Sequence, residues 1–240
     1  MLILGIESSC DETSAAVVEM SSSVRRILSN RIASSMETHR LFGGVVPEIA
    51  SRAHAEAISG LTYDALSEAG VTMEQIDAVG VTAFPGLIGA LMVGVNFAKS
   101  LAYANEKPLV PVNHVYGHVA ASYLAHPTLE PPFLALIVSG GHTSLTYFTS
   151  YTQATVLGRT RDDAAGEAFD KVGRVLGVPY PGGAEMDRLA TSGDPSFLSL
   201  PSAALREDAA HPSLEFSFSG LKTAVINELN TANMKGLTYA

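Results

Sequence analysis

The sequence is poor in cysteine and in positive charge. Cys10 is the only cysteine among 240 residues, so no disulfide can form within the chain and a reducing, cytoplasmic location is expected. Lysine and arginine number 15 against 24 acidic residues, which gives a net charge of −9. This balance disfavours unaided capture of a polyanion, because phosphate contacts need clustered basic side chains. A nucleic-acid partner would therefore require a local patch or a helper subunit.

Neither a leader peptide nor a membrane span is predicted. Residues 1–6 enter an apolar run at once, without the basic region or small-residue cleavage site of a signal peptide. Residues 78–98 carry no charge and are long enough to cross a bilayer. Pro85 and several glycines interrupt this stretch, which favours a buried strand, a turn and a buried helix in a protein without membrane segments.

The composition indicates a folded protein with two domains. Apolar residues make up 47% of the chain and charged residues 16%, which is enough for sizeable cores. Because single cores rarely grow beyond about 250 residues, two domains of about 120 residues each fit this length better than one.

Two strand–turn–strand units with the same layout open the two halves of the chain. The first has strands from Leu2 to Ile6 and from Ser14 to Glu19, and the second has strands from Phe133 to Val138 and from Thr143 to Phe148. The repetition predicts two related α/β lobes facing each other across a cleft that holds the functional site. We assign residues 1–122 to the first lobe, 123–132 to a connection and 133–240 to the second lobe.

Apolar periodicity predicts the remaining elements. Helices are expected at 48–58, 61–69, 87–104, 164–176 and 184–191, a strand at 108–112, and a Ser/Pro/Ala-rich surface segment at 192–212.

His114 and His118 form an H-x3-H pair that could bind a metal ion. On a helix this spacing places both imidazoles on one face, close enough to share one ion. The alternative is that they are ordinary surface or core histidines, which a bare H-x3-H pair often is. Val115 occupies the position of the general-base glutamate of H-E-x-x-H proteases, which argues against a zinc peptidase.

Two glycine-rich segments could approach a ligand closely. Pro181-Gly182-Gly183 is a loop whose backbone could lie against a ligand. Glycine also allows backbone N–H groups to contact phosphate oxygens, and Ser139-Gly140-Gly141 is a turn of this kind. An ordinary tight turn is the competing interpretation. Asp187 follows in the predicted first turn of a helix, where a carboxylate could bind ribose hydroxyls.

Acidic side chains near these segments have both functional and structural interpretations. Asp11 and Glu12 could orient a metal-bound water or assist proton transfer, although acidic residues also favour turns. Asp170 lies in a helical segment and could equally belong to a solvated helix face. Cys10 has no activating base in the sequence, so a turn or buried cysteine is favoured over a nucleophile.

Seven ordered motifs give the sequence a specific resemblance. They are G-I-E-S-S-C-D-E-T, F-G-G-V-V-P-E-I-A-S-R-A-H, N-H-V-Y-G-H, I-V-S-G-G-H-T, D-D-A-A-G-E-A-F-D-K, Y-P-G-G and F-S-F-S-G-L-K-T. In their residues and in their order along the chain, these motifs resemble those of the TsaD family of tRNA N6-adenosine threonylcarbamoyltransferases, formerly described as O-sialoglycoprotein endopeptidases. The match extends from Leu4 to about Val225.

The resemblance implies an actin-like ATPase (ASKHA) fold with two RNase H-like lobes, and a transfer from threonylcarbamoyl-AMP to N6 of the tRNA adenosine beside the anticodon. It implies that His114 and His118 hold a divalent metal, iron or zinc. It also implies that Asp11 and Glu12 lie at the transfer site. The donor-binding residues it implies are Ile137, Val138, Ser139, Gly140, Gly141, Asp170, Gly183 and Asp187.

The sequence departs from the family pattern at several positions. Phe84 stands before Pro85-Gly86 where the family usually has glycine, and Ala184 replaces the proline expected after Gly183. A second glycine-rich segment with a nucleotide-contacting asparagine, and the aspartate that is the remaining metal ligand, are missing. We therefore expect an incomplete second lobe, weakened metal affinity and little activity of this chain alone.

A non-catalytic scaffold or partner subunit of a tRNA-modification complex is the alternative hypothesis. The missing third ligand favours it, whereas the retained His114, His118 and Asp11 argue against it. A sugar-kinase-like ATPase would share the fold but would not need paired histidines. The family resemblance and the acidic balance together predict that tRNA docks through accessory subunits, the TsaB- and TsaE-like proteins.

Overall fold

The chain folds into two compact units, Met1–Leu129 and Glu130–Ala240. The structure, a computed structural model, describes residues 1–21, 24–205 and 213–237. Among these residues, no helix is long and apolar enough to cross a membrane.

A mixed five-stranded sheet forms the centre of the first unit. Its strands are β1 (Leu2–Glu7), β2 (Glu12–Met20), β3 (Arg25–Ser34), β4 (Ala78–Phe84) and β5 (Leu109–Asn113), in the order β3-β2-β1-β4-β5. The first three strands are antiparallel neighbours, while β4 pairs in parallel with both β1 and β5. The carboxyl ends of β1, β4 and β5 therefore lie at one edge of the sheet, the usual place for a ligand site in an open α/β sheet.

The burial of the strands follows their position in the sheet. Residues 78–82 of β4 are all buried, as expected for a parallel strand covered on both faces. In β2 every second residue from Thr13 to Val17 is buried, the alternation of a strand with one face on the core. Leu4, Ile6, Val17, Val79 and Val81 are at most 3% exposed and pack in the apolar core.

Four α-helices among the described residues accompany this sheet: α1 (Met36–Arg40), α2 (Pro47–Ala69), α3 (Ile88–Ala104) and α4 (His114–Ala125). The prediction of separate helices at 48–58 and 61–69 was wrong, because α2 continues through Gly60. Gly60 is exposed, so its presence costs only about 1 kcal/mol of helix propensity. The flanking buried residues Ile58 and Thr62 keep the helix on the sheet. Residues 123–125, predicted as connection, are the last turn of α4.

The second unit opens with the antiparallel strands β6 (Phe133–Val138), β7 (Thr143–Phe148) and β8 (Ala154–Arg159). Its described helices are α5 (Ala165–Val175), α6 (Gly183–Ala190) and α7 (Ser219–Met234). Residues 192–205 of the predicted surface segment contain neither helix nor strand, and the remaining residues, 206–212, lie outside the described residues.

Asp162 fixes the start of α7 from a distant part of the chain. Its Oδ1 accepts hydrogen bonds from the N–H groups of Phe218 (2.8 Å) and Ser219 (3.2 Å). Its Oδ2 accepts from the hydroxyls of Ser217 (2.5 Å) and Ser219 (2.7 Å). Two of the sequence motifs, D-D-A-A-G-E-A-F-D-K and F-S-F-S-G-L-K-T, are thus joined through one carboxylate. The carboxylate satisfies the open N–H groups at the helix start, as a capping residue does.

Asp162→Ala is expected to destabilise the chain by about 1 kcal/mol at pH 7, as the loss of other capping side chains does. Burial alone would raise the pKa of Asp162, but its hydrogen bonds outweigh this and lower the pKa from 3.8 to about 2. The ionised group therefore stabilises the fold above pH 3.8, and this contribution is lost as the pH falls through 2. Urea-unfolding midpoints between pH 7 and pH 2 measure the effect.

The exposed Asp194, whose side chain accepts hydrogen bonds from the nearby Ser196, provides the control variant Asp194→Ala. A difference between Asp162→Ala and the unsubstituted chain that stays constant from pH 7 to pH 2 would contradict the assignment.

Candidate active site

The turn between β1 and β2, Ser8–Asp11, is held by hydrogen bonds from three other segments. The Ser9 carbonyl accepts from the N–H of Leu87 at 2.8 Å. The Cys10 carbonyl lies 3.0 Å from Nε2 of His54. The Asp11 carbonyl accepts from both the N–H (2.9 Å) and the hydroxyl (2.7 Å) of Ser35. Three successive carbonyls are thus fixed, so the turn presents its side chains in a defined way.

Two glycines allow this turn to lie directly against α3 and the segment before it. A Cβ on Gly94 would lie 2.2 Å from Oγ of Ser8, and a Cβ on Gly86 would lie 2.6 Å from the Ser9 carbonyl. The Ser8 hydroxyl also donates to the carbonyl of Ala90 at 2.9 Å. No larger residue fits at either glycine without moving the turn.

Helix α4 begins with the H-x3-H pair, immediately after β5. The side chain of Asn113 caps the helix, its Oδ1 accepting from the N–H groups of Val115 (2.9 Å) and Tyr116 (3.3 Å). His114 and His118 follow one turn apart, with their Nε2 atoms separated by 3.0 Å and their rings nearly perpendicular at 80°. The structure therefore brings the two predicted ligand nitrogens together.

Glu7, at the end of β1, contacts the other nitrogen of the His114 ring. Its Oε2 lies 3.1 Å from Nδ1 of His114, and the Ser9 hydroxyl oxygen is also 3.1 Å from that nitrogen. Burial raises the pKa of Glu7, but hydrogen bonds with His114, Ser9 and Thr82 outweigh it and bring the pKa down to about 2. The ionised carboxylate only accepts hydrogen bonds, so Nδ1 carries a proton, and Nε2 is the nitrogen through which the neutral ring would bind an ion.

Sequence reasoning missed Glu7, which lies 107 residues from His114 in the chain. A signal was nevertheless available. Glu7 ends β1, and His114 follows β5 directly. If both strands are placed in one parallel set, the two side chains meet at the same sheet edge.

The geometry of the pair suits one shared ion. Nitrogens that are each about 2.0–2.1 Å from an ion and subtend about 90–110° lie about 2.8–3.4 Å apart, and the observed separation is 3.0 Å. Burial and the neighbouring His114 lower the pKa of His118, against a smaller opposing effect of Glu7, which favours the neutral ligand form. Among the described residues, no group of three or more His, Cys, Asp or Glu side chains is placed to hold a metal.

Asp11 and Glu12 are therefore not joined with the histidines in a ligand cluster. Asp11 is half-buried in the turn, and Glu12 is exposed at the first position of β2. Burial and the adjacent Asp11 raise the pKa of the Cys10 thiol to about 11. The thiol stays protonated at neutral pH, in agreement with the expectation that Cys10 is not a nucleophile.

In the second unit, the turn Ser139–His142 presents two N–H groups that bond no described residue. The N–H of Ser139 donates to the carbonyl of His142 at 2.8 Å, and the N–H of His142 donates to Oγ of Ser139 at 3.1 Å. Gly140 and Gly141 are exposed, and their N–H groups make no hydrogen bond within the described residues. A Cβ at either glycine would meet nothing within 4 Å, so space for a ligand is present. Ile137, before the turn, is buried, while Val138 is 55% exposed.

Helix α5 starts directly against this turn. The N–H of Gly166 donates to the carbonyl of Ser139 at 3.2 Å. A Cβ on Gly166 would lie 2.7 Å from that carbonyl oxygen and 2.8 Å from Cα of Gly140. Only glycine allows this approach, so Gly166 determines where the turn lies.

Asp170 on α5 organises the second glycine-rich loop. Its Oδ1 accepts from the N–H of Gly182 at 2.7 Å, and Gly183 then begins α6. Asp170 and Gly183, both predicted donor-binding residues, are thus connected through Gly182. Asp187 is exposed in the second turn of α6, whereas the sequence placed it in the first turn, because the helix begins one residue earlier than predicted.

Comparison with known proteins identifies relatives along nearly the whole chain. Residues 26–237 match the TsaD family, tRNA N6-adenosine threonylcarbamoyltransferase. A relative of that name from Clostridium botulinum is 54% identical and one from Clostridium beijerinckii 52%, each over 98% of this chain and 67% of the relative's length. The crystal structure of the Acidaminococcus fermentans (R)-2-hydroxyglutaryl-CoA dehydratase component A superposes with a TM-score of 0.52. It is 11% identical, over 97% of this chain and 69% of that one.

The superposed crystal structure shows the fold, which is the actin-like ATPase fold. The sequence relatives are more specific: the chain belongs to the TsaD family of tRNA N6-adenosine threonylcarbamoyltransferases. This confirms the predicted family, fold class and enzyme class, that of a transferase which modifies tRNA.

Gly166→Ala is expected to destabilise the chain by about 1–3 kcal/mol, because the added methyl group overpacks against the Ser139 carbonyl. Gly141→Ala should leave stability within about 0.5 kcal/mol of the unsubstituted chain, as for other open surface positions. Urea unfolding at pH 7 measures both. Equal destabilisation by the two variants would show that the turn does not face open space.

Proposed function

We propose that His114 and His118 hold one divalent ion, iron or zinc, at the centre of a threonylcarbamoyl transfer site. The donor is threonylcarbamoyl-AMP and the acceptor is N6 of the tRNA adenosine beside the anticodon. The observation that carries the proposal is the pair of Nε2 atoms 3.0 Å apart, with Glu7 behind His114. A carboxylate that orients a ligating histidine in this way is a recurrent feature of protein metal sites.

A bound divalent ion supplies Lewis-acid polarisation of the threonylcarbamoyl carbonyl. His114 and His118 would hold it through Nε2, and Glu7 would keep the proton of His114 on Nδ1. Because the chain would supply only two ligands, further coordination positions of the ion would remain open for oxygen atoms of threonylcarbamoyl-AMP.

The donor nucleotide would bind the second unit. The exposed N–H groups of Gly140 and Gly141 suit the phosphate of the AMP leaving group, because aligned amides stabilise phosphate oxygens. The side of the nucleotide site next to these glycines would be completed by Ile137, Val138 and Ser139. The Asp170–Gly182 hydrogen bond supports a role of Asp170 and Gly183 in shaping the nucleotide loop. The exposed Asp187 can accept hydrogen bonds from ribose hydroxyls.

The transfer itself requires removal of a proton. The N6 nitrogen attacks the carbonyl carbon, the bond from that carbon to the phosphate oxygen breaks, AMP leaves, and one N6 proton is lost. We assign this proton to the carboxylates of Asp11 and Glu12. The anchored carbonyls of the turn support the assignment, because a general base must be held in place to act.

A non-catalytic scaffold within a tRNA-modification complex is the second candidate function. One observation favours it: the described residues contain no cluster of three potential metal ligands. Metal binding by the histidine pair separates the two functions.

We further propose that tRNA reaches the site with the help of TsaB- and TsaE-like subunits in the cytoplasm. The net charge of −9 supports this, since unaided tRNA binding requires clustered positive charge.

Metal binding is tested by titrating Zn²⁺ or Co²⁺ into the chain by calorimetry. His118→Ala should weaken affinity at least about tenfold, the lower end of what the loss of an outer-shell partner already costs. His126→Ala is the matched control, since His126 is an exposed histidine at the carboxyl end of the same helix. Indistinguishable curves for all three proteins would favour the scaffold.

Activity is tested with threonylcarbamoyl-AMP, unmodified tRNA and the two accessory proteins, and modified adenosine is detected by mass spectrometry of digested tRNA. We expect transfer that depends on His114 and His118, and a raised KM for the donor in Gly141→Ala. A tRNA with guanosine at the acceptor position is the negative control. The chain extended with the C-terminal segment of its 54% identical relative is assayed beside it, and absence of modified adenosine with both proteins would refute the catalytic assignment.

A further inference from the structure

Two histidines outside the candidate metal pair are completely buried. His39 on α1 and His54 on α2 are both 0% exposed. Buried polar groups need hydrogen-bond partners, and a neutral imidazole can donate from one nitrogen while it accepts at the other. The partners of each ring therefore define which nitrogen carries the proton.

His54 spans the beginning of β2 and the turn before it. Its Nε2 lies 3.0 Å from the carbonyl of Cys10, which can only accept, so Nε2 carries the proton. Its Nδ1 lies 2.7 Å from Oγ1 of Thr13, a hydroxyl that can donate to the neutral ring. Both nitrogens are thus satisfied by groups on either side of Asp11 and Glu12.

His39 reaches the same turn through one serine. Its Nδ1 accepts from the N–H of Val46 at 3.2 Å, so its Nε2 carries the proton and donates to Oγ of Ser35 at 3.0 Å. The Ser35 hydroxyl then donates to the carbonyl of Asp11 at 2.7 Å. Two buried rings from different helices therefore act on adjacent carbonyls.

We propose that His54 and His39 are positioning residues, both neutral Nε2–H tautomers, that fix the Cys10 and Asp11 carbonyls and thereby orient the carboxylates of Asp11 and Glu12. The functional part of this inference rests on the proposed transfer reaction. The chemistry explains the residue type: lysine and arginine only donate, an ionised carboxylate only accepts, and a neutral imidazole does both from opposite edges of a rigid ring.

Cys10 provides a specific reporter of this turn. It is the only cysteine of the chain, and its thiol is half-buried. Its carbonyl is the group that His54 holds. The rate at which a thiol reagent labels Cys10 therefore measures how often the turn opens. Measurement at two pH values separates opening from a changed thiolate fraction, because labelling requires the thiolate.

His54→Leu removes both hydrogen bonds and should speed the labelling of Cys10 at least about tenfold, the change expected from about 1.4 kcal/mol of lost stabilisation of the closed turn. His54→Gln keeps an amide N–H for the Cys10 carbonyl and should restore most of the protection. Ser35→Ala removes only the relay from His39 and should have a smaller effect. Ile58→Val, in the core one turn further along α2, is the control for general destabilisation and should label at the original rate.

Thr13→Val supplies a milder variant if His54→Leu does not fold, since it removes the hydroxyl on Nδ1 and should speed labelling to an intermediate degree. Two-bond ¹H–¹⁵N NMR spectra should show both histidines of the unsubstituted chain as neutral Nε2–H tautomers. A doubly protonated or Nδ1–H ring at neutral pH, or unchanged labelling in both His54→Leu and Thr13→Val, would overturn the proposal.

The transfer assay separates this inference from the proposed function. With donor and tRNA present, His54→Leu should lower kcat with little change in the donor KM, and His54→Gln should recover kcat. If the unsubstituted chain transfers and His54→Leu retains full kcat, the positioning role is wrong. The labelling rates of Cys10 and the tautomers of His54 and His39 can be as expected while the unsubstituted chain transfers nothing. In that case the two histidines do hold the turn, and the proposed catalytic function is wrong.

Discussion

The hydrogen bond between Glu7 and His114 is the interaction on which the candidate metal pair depends. With the carboxylate 3.1 Å from Nδ1, the His114 ring has one orientation and one tautomer, and its remaining lone pair faces His118. The same carboxylate also accepts the N–H of Ser9. One acidic side chain therefore links the histidine pair to the turn that carries Asp11, and the strand order β1-β4-β5 brings these parts to one sheet edge.

Rigidity of the β1–β2 turn comes from groups that are far apart in sequence. Ser35, His54 and Leu87 each supply a donor to one of its carbonyls, and Gly86 and Gly94 remove the side chains that would separate the turn from its neighbours. Such anchoring matters for catalysis because a displacement of about 1 Å at a reacting group can cost about a hundredfold in rate. In the second unit, Gly166 has the corresponding role for the turn at Gly140 and Gly141.

Local sequence signals predicted the elements that have clear boundaries. The strands at 133–138 and 143–148 have the predicted limits, because Pro132 and the Ser-Gly-Gly turn delimit an apolar run. Strand β3 and helix α7 were not predicted. β3 is an edge strand with one fully buried residue, Ser29, and α7 buries only Ala232 among its described positions, so neither shows strong apolar periodicity. The prediction of a helix break near Gly60 was wrong, because the tertiary packing of α2 outweighs the low helix propensity of glycine.

The site was only partly predictable from the sequence, because local patterns show which residues are close along the chain but not which distant segments pack together. Spacing of four suffices to bring His114 and His118 together, and the glycine turns are visible as local patterns. Contacts such as Glu7 with His114, or His54 with Cys10, join residues 107 and 44 positions apart and follow only from the strand order and helix packing. The hydrogen-bond partners of His114 and His54 could therefore be assigned only from the structure, although both histidines are visible in the sequence.

X-ray absorption spectroscopy of the chain loaded with one equivalent of Zn²⁺ tests the central claim most directly. The account predicts two imidazole nitrogens at about 2.0–2.1 Å from the metal, with one imidazole lost from the shell in His118→Ala. A coordination shell without imidazole scattering, or one unchanged by that substitution, would contradict it.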